Sequence, residues 1–448
     1  MESLQKVYFL GIGGIGMSAI ARYFLKRGVS VSGYDKTPSP LTGKLESEGM
    51  KIQFVENVEH IPEDVQLVIW TPAIPADSVL LNHCRHQNFL LMKRAEVLGW
   101  ISKDNKSIAV AGTHGKTTTS SLLAYLLTAT GVNCTAFLGG IAVNFDSNFI
   151  SGSSEWVVLE ADEYDRSFLQ LSPDIAIITS MDADHLDIYG DASKMQEGFI
   201  AFSKKVKQGG RLHVEAKLKL LLPESDTTFT YGVEMGDYRA VNVRAEEGMM
   251  HFDIEWPEGK ILDCQLPYPG LHNVENAMAA ISVLLHLKID NELIKKALLG
   301  FRGIKRRFEL IHKDDQQVYI DDYAHHPSEL KAAIQAARMM YPGKKLAGVF
   351  QPHLYSRTRD FADGFAESLD GLDELWMLDI YPAREKPIQG VNSDMILEKM
   401  KLKDKKLVSN AALMEALHKS DFEILMTLGA GDIDRLVPEI DKEIFKKV

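Results

Sequence analysis

The sequence predicts an α/β protein built from three domains in series. Two glycine-rich turns, at 11–16 and 112–115, each lie between an apolar strand-like run and a helical pattern. Strand-like and helical segments alternate along most of the chain, and that alternation restarts twice, after the polar stretch 102–107 and after the basic segment 303–310. The length of 448 residues suits two to four domains. There is no repeat at a solenoid period and no low-complexity tract.

The elements follow in order. Residues 6–10 (KVYFL) read as a buried strand, and Ile15, Ala19, Ile20, Tyr23 and Phe24 recur at helical spacing beyond the first glycine turn. With a second apolar strand at 67–70 (LVIW), they make 1–105 a compact Rossmann-like domain whose exit is SKDNKS at 102–107. A lysine ahead of the first apolar run matches the start of a signal peptide, but the glycines interrupt that run. No other stretch approaches about 18 uninterrupted apolar residues, so a cytoplasmic protein without a membrane span is expected.

The second domain, 106–303, opens with SIAVAG as strand, THGK as turn and 117–127 as helix. WVVLE (156–160) and IAIITS (175–180) extend a mostly parallel sheet, as in P-loop ATPases. Short alternating strands around the turn signals EEG and PEGK predict a small antiparallel flap at 238–266. The third domain, 304–448, is again Rossmann-like, with strands near 318–320, 346–350, 375–380 and 423–428 and a helix at 329–340.

Bulk properties exclude several classes of function. A net charge of −12 argues against a polyanion-binding surface, so no nucleic-acid partner is expected and any phosphate site must be local. Cys84, Cys134 and Cys264 are widely spaced, suit neither a metal site nor a disulfide framework, and read as structural. The oligomeric state is left open.

Gly11, Gly13 and Gly16, with Gly14 between them, form GxGxxG, and Asp35 follows about 20 residues on. Such glycines admit a pyrophosphate to a helix start while the acid binds a ribose hydroxyl; the other reading is that they serve only tight packing. The stronger signal is AGTHGKTTT at 111–119, an ATP-type loop. Its backbone N–H groups would face phosphate oxygens, Lys116 would supply charge near the β and γ phosphates, and the Thr117 hydroxyl would reach magnesium. Val110 stands where a strict Walker A motif has glycine. Glu160 closes WVVLE and His185 closes the next strand region. Either alone is more often a surface group, but at successive strand ends they are candidate metal ligands.

Together these motifs resemble the Mur ligases along nearly the whole chain. The shared blocks are GTHGKT at 112–117, EADE at 160–163, DADHLD at 182–187, HNVENAMAA at 272–280, GIKRRF at 303–308, DDYAHHP at 321–327 and QPHLYSRT at 351–358. The resemblance implies an ATP- and Mg2+-dependent ligase that joins L-alanine to the lactyl carboxylate of UDP-N-acetylmuramate in peptidoglycan precursor synthesis. Gly11, Gly13, Gly14, Gly16, Asp35, Ala73 and Ile74 would then hold the UDP sugar. ATP would lie between the second and third domains, on Gly112, Thr113, His114, Gly115, Lys116, Thr117 and Thr118, with His272, Asn276, Arg307 and Asp322. Thr117 and Glu160 would hold one magnesium ion and His185 a second. His325 and Arg357 would face the muramoyl end and the amino acid, and with Lys116 and His185 complete the catalytic set.

Three departures from the family pattern bear on contacts. Leu354 stands where many relatives carry arginine, Thr71–Pro72–Ala73–Ile74 replaces the usual SSAI, and Ile200 stands where several Mur ligases have a carbamylated lysine, so that modification is not expected. The nearest rival is a recycling ligase that attaches an intact tripeptide to the same sugar. Tyr323 and the QPHLYSRT block favour alanine. An NAD-dependent dehydrogenase reading takes GxGxxG at face value but leaves GTHGKTTT, Glu160 and His185 without a role, and a noncatalytic nucleotide-binding regulator would have the ATP site without turnover.

Overall fold

A computed structural model describes residues 4–182, 191–246, 248–383 and 385–446. The chain divides into two compact units. The first comprises Met1–Ala240, Ile254–Ile261 and Glu275–Ala297, and the second Val241–Asp253, Leu262–Val274 and Leu298–Val448.

The first unit begins with a five-stranded parallel sheet in the order Lys51–Gln53, Ser30–Tyr34, Lys6–Leu10, Leu67–Trp70, Leu91–Lys93. The chain winds outwards from Lys6–Leu10 in one direction and then in the other. The C-terminal ends of Lys6–Leu10 and Leu67–Trp70 therefore form a topological switch point, where crossover connections diverge and leave a crevice. KVYFL forms the central strand because an element covered on both faces must be apolar throughout, and Val7 to Leu10 are all buried.

A ten-stranded sheet follows. Lys106–Ala111 lies at its centre, paired in parallel with Trp156–Glu160 on one side and Ile175–Ile178 on the other. Thr135–Ala142 and Ser147–Ile150 continue one flank, while Arg211–Glu215 and Thr228–Val233 continue the other. The predicted flap appears as three strands, Tyr238–Glu246, Met249–Trp256 and Gly259–Leu266, in consecutive neighbour order at the sheet's end.

The polar stretch 102–107 spans the end of one helix and the start of a strand. Helix Arg94–Asp104 runs into strand Lys106–Ala111 with only Asn105 between them. Ser102 and Ser107 are buried because internal partners satisfy them: the Ser107 hydroxyl donates to the Ser102 carbonyl (3.1 Å), and Ser102 Oγ accepts from the Ser172 amide (3.0 Å). The two sheets of this unit share one hydrophobic core. Tyr23, on helix Ile15–Lys26, packs its ring 5.3 Å from Phe137 of the larger sheet, and Ile101 joins Phe168, Phe199 and Phe202 in the same cluster.

The second unit carries a six-stranded sheet in the order Glu309–Lys313, Val318–Asp322, Ile424–Leu428, Leu346–Phe350, Glu374–Met377, Lys405–Leu407. Its first pair is antiparallel and the others are parallel. Apolar clusters cover both faces. Among the described residues, no helix is long and apolar enough to cross a membrane.

Candidate active site

Strand Lys106–Ala111 ends in the turn Gly112–Gly115, which opens helix Lys116–Ala129. Two glycines are obligatory here. Gly112 has φ +140° and Gly115 φ +80°, and a Cβ on the first would overlap Thr179 Oγ1 and come within 2.8 Å of the Ser180 amide nitrogen. A Cβ on Gly115 would overlap Asn276 Oδ1, which also accepts from the Thr119 hydroxyl (3.2 Å). Asn276 is thus brought against the loop. The neighbouring strand end holds the turn from outside: the Thr113 amide donates to the Ser180 carbonyl (3.2 Å), Thr113 Oγ1 to the Asp182 carbonyl (2.9 Å), and the His114 amide to Ser180 Oγ (2.7 Å). Thr117 is half-buried at the helix start and Thr118 is buried.

Lys116 folds back over its own loop. Its ammonium donates to the Gly112 carbonyl (2.6 Å) and pairs with Glu163 at 2.7 Å. Burial works against that charge, but Glu163, Asp162 and Glu160 outweigh it and hold the ammonium above its usual range. Burial pushes the Glu163 carboxyl up to about 7 in spite of Lys116. Burial also opposes the charge of Asp162, yet Arg94 and Lys116 hold it below the ordinary carboxylate range. Arg94 donates to Asp162 at 2.7 Å.

Glu160, at the end of its strand, accepts from the Gly139 amide (3.0 Å) and from the hydroxyl of Ser120 (3.4 Å), which lies one turn into the P-loop helix. Its carboxylate therefore lies alongside the helix turn that carries Thr117. His185, the other expected metal ligand, lies outside the described residues. Among those described, no group of three or more His, Cys, Asp or Glu side chains is arranged to hold a metal.

The first glycine loop and Glu160 border the same space. A cavity of about 120 Å³ is lined by Ile15 and Gly16 at the start of the first helix, by Arg94, and by Gly139, Glu160 and Asp162, among others. The loop's own amides are largely used internally. The Gly11 and Ile12 amides donate to the Tyr34 carbonyl (2.8 and 3.1 Å), that of Gly14 to the Gly11 carbonyl (3.2 Å), and that of Gly13 to Asp35 Oδ2 (2.7 Å). Asp35, expected at a ribose, is turned onto the loop. Thr71 and Ile74 approach from the other side of the switch point, 3.2 and 3.5 Å from where a Gly11 Cβ would stand, and Ala73 lies between them in the same turn.

In the second unit, Asp322 ends its strand with both carboxylate oxygens accepting from backbone amides, Phe308 and Ala324, at 2.7 Å each. Burial raises its pKa to about 6 against the pull of Arg307. Arg307 sits between two residues in the left-handed region, Arg306 (φ 61°) and Phe308 (φ 46°). Hydrogen bonds of the Arg306 and Phe308 amides to Glu309 and Asp322 hold that geometry. The Arg307 guanidinium lies over Tyr323 and 3.7 Å from Glu329. The His325 amide donates to Glu329 (3.1 Å), and His325 Nδ1 donates to the Tyr323 carbonyl (2.9 Å), which fixes the neutral tautomer with Nε2 as acceptor. Burial lowers the His325 pKa to about 4, and Arg357, itself buried, adds to that effect. His272 is likewise lowered to about 4 by burial and by Arg307. Leu354 opens helix Tyr355–Leu369 with φ 71°.

Arg94, Glu163 and Glu329 are the site residues that the sequence reading missed. Glu163 and Glu329 stand in or beside quoted motifs, whereas Arg94 lies in none of them.

This fold and site define a P-loop nucleotide-binding protein whose ATP-type loop shares a unit with a second glycine loop at a Rossmann-type switch point. Three family models match in succession: "Mur ligase family, catalytic domain" over 6–106, "Mur ligase middle domain" over 110–284 and "Mur ligase, glutamate ligase domain" over 306–432. The chain belongs to the Mur ligase family. It is 48% identical to a UDP-N-acetylmuramate--L-alanine ligase of Flavobacterium johnsoniae, with 100% of both chains covered. It is also 48% identical to the enzyme of that name from Cytophaga hutchinsonii, with 98% of this chain and 97% of the relative covered. Among solved structures, the UDP-N-acetylmuramate-alanine ligase of Thermotoga maritima superposes with TM-score 0.84 at 30% identity over 98% of each chain. A murein peptide ligase of Psychrobacter arcticus shares the fold, with TM-score 0.73 at 22% identity over 99% of each chain.

Proposed function

We propose that this protein is a cytoplasmic ATP-dependent ligase that joins L-alanine to the lactyl carboxylate of UDP-N-acetylmuramate through an acyl phosphate. One observation carries the reading: a single cavity is bordered both by the glycine loop suited to a sugar nucleotide and by Glu160, which lies against the first turn of the P-loop helix. The names and full-length identity of the alanine-adding relatives support the same reading. We assign sugar-nucleotide binding to 1–105, ATP binding to 106–303, and completion of the ATP and amino-acid sites to 304–448.

A free carboxylate is a poor acyl donor. In the first step a carboxylate oxygen forms a bond to the γ-phosphorus of ATP and the bond to the β-bridging oxygen breaks, releasing ADP. In the second, the alanine nitrogen forms a bond to the activated carbonyl carbon, the bond to phosphate breaks, and the amine loses a proton. Lys116 offsets charge as the two anions approach. It is held ready by Glu163 and the Gly112 carbonyl. Glu160 and Thr117 supply hard oxygen donors, the set that magnesium takes when phosphates complete its coordination. The Glu160 carboxylate accepts from two neutral donors, the Ser120 hydroxyl and the Gly139 amide, and would turn to such an ion without first breaking a salt bridge. Magnesium, when bound, supplies charge neutralisation at the phosphates, and His185 remains the proposed ligand of a second ion. Asn276 and His272 are assigned to adenine, and Arg307 and Asp322 to phosphate and ribose. Arg357 is assigned to the alanine carboxylate, because a planar fork suits bidentate pairing.

The test is phosphate release by purified protein with ATP, magnesium and UDP-N-acetylmuramate, comparing L-alanine, D-alanine, glycine, L-serine and L-Ala-D-Glu-diaminopimelate, with product masses measured. Selective turnover of L-alanine is expected. Preference for the tripeptide would move the protein to recycling, and silence with every acceptor would overturn the ligase reading.

A further inference from the structure

We propose that Arg94 is a substrate-binding residue of the sugar-nucleotide site, its guanidinium meeting an anionic group of the UDP sugar inside the cavity between the first glycine loop and Glu160. The proposal rests on the sugar-nucleotide reading above and adds to it a contact that no motif announced.

Three observations converge on it. Arg94 lines the cavity together with Ile15, Gly16, Gly139, Glu160 and Asp162. Among these residues it is the cation, and Glu160 and Asp162 are acids. A substrate bearing a pyrophosphate and a carboxylate would meet net repulsion there without a counter-charge. Next, the guanidinium lies directly against the glycine loop: a Cβ on Gly16 would overlap Nη1 and come within 3.2 Å of Cδ. Gly16 is therefore glycine, at least in part, because Arg94 occupies the space beside it. Finally, Arg94 is fixed rather than splayed into solvent. Its Nη2 donates to Asp162 (2.7 Å), and its side chain is about a quarter exposed. An arginine held through one edge keeps other N–H donors for a ligand, with less rotamer freedom left to lose on binding.

The shared chemistry of the recognised group is an oxyanion, and two parts of the substrate offer one: the pyrophosphate and the lactyl carboxylate. Asp162 acts here as a positioning residue. It orients Arg94 through their 2.7 Å hydrogen bond.

The experiment is calorimetric titration of the whole protein, without ATP, with UDP, UDP-N-acetylglucosamine and UDP-N-acetylmuramate. Wild type, Arg94→Ala, Arg94→Lys and Asp162→Asn are compared, and thermal unfolding of each checks folding. Removing a charge-assisted contact should weaken binding roughly 10- to 100-fold, with Arg94→Lys recovering part of the loss. If Arg94→Ala weakens all three ligands, the pyrophosphate is the contact; if it weakens UDP-N-acetylmuramate alone, the carboxylate is. Asp162→Asn should give a smaller loss of the same ligand pattern. Wild type that binds UDP-N-acetylmuramate while a folded Arg94→Ala binds all three as tightly would overturn the Arg94 assignment alone. Wild type that binds none of them would overturn the sugar-nucleotide reading beneath it.

Discussion

The protein contains two glycine loops, 11–16 and 112–115, and they are built from the same local grammar. Each follows a central parallel strand, opens a helix and faces the C-terminal edge of its sheet. They differ in what satisfies them. The second loop is braced from outside by Thr179, Ser180 and Asp182 and carries its own cation, Lys116, paired with Glu163. The first turns most of its amides inwards, uses Asp35 as an internal acceptor, and has its cation supplied by another helix in Arg94. A glycine pattern sets backbone shape, whereas the residues around it decide which anion is met and with what charge.

The largest expected difference lies in catalysis. Lys116→Ala should lower turnover by about 10³-fold or more, the scale of removing a charge aimed at a transferring phosphoryl group. UDP binding should remain within a few-fold of wild type, because the cation beside the first loop is Arg94, not Lys116. Phosphate release and calorimetric titration on the same preparation check both halves. If UDP affinity collapses together with turnover, the two loops are not the separate devices described above.

Stability separates them next. Gly112→Ala would place a methyl group into Thr179 and the Ser180 backbone at a φ that L-residues rarely adopt, and should cost about 2–4 kcal/mol. Gly11→Ala meets only the methyl groups of Thr71 and Ile74, at 3.2 and 3.5 Å, so its cost comes mainly from φ +84° and should be about 1 kcal/mol. Urea unfolding of both variants measures the gap. Equal costs would mean that backbone conformation alone, without the bracing, sets the requirement for glycine.

Much of this was legible in the sequence because it is carried by short-range pattern. KVYFL, WVVLE and LAGVF (346–350) announce buried strands, and GTHGKT announces a strand-to-helix turn. Strands 135–142 and 211–215 were not read. TAFLGGIA contains two glycines, one of which, Gly139, exists to let Glu160 approach, while RLHVE carries charges at its ends. Both strands are fixed by neighbours remote in sequence. The shared core of the first unit was hidden for the same reason. Nothing local in SKDNKS shows that its two serines bond inwards, because their partners include Ser172, remote in sequence. Arg94 was invisible because its meaning lies in Gly16 and Asp162, 78 and 68 residues away.

The ionisation of Glu163 should distinguish the second loop further. Burial raises its pKa to about 7 from the usual 4.5, so the folded chain keeps a proton that the unfolded chain has released. The resulting contribution favours folding below pH 4.5 and is lost as pH rises towards 7. Glu163→Gln should remove that slope, worth about 1–3 kcal/mol across the interval. Denaturation midpoints at half-unit steps of pH would show it. Unchanged slopes in wild type and variant would mean that the attraction of Lys116 cancels burial and keeps the carboxylate ionised throughout.

The smallest expected effect is at the first loop, and it decides what Asp35 does. An asparagine there keeps an oxygen that can accept from the Gly13 amide but loses the charge near a helix start. Asp35→Asn should therefore cost only about 0.5–1 kcal/mol in thermal unfolding. If the acid serves the loop alone, as its contacts with the Gly13 and Thr37 amides indicate, affinity for UDP should stay within about threefold of wild type. A ribose contact made by the carboxylate predicts instead a loss of about tenfold or more, since hydrogen bonds to charged groups are the stronger class. Such a loss with little change in stability would show that Asp35 leaves Gly13 when the nucleotide binds. It would also make the first loop the one that rearranges around its ligand, and the second, braced by its neighbours, the one that is preformed.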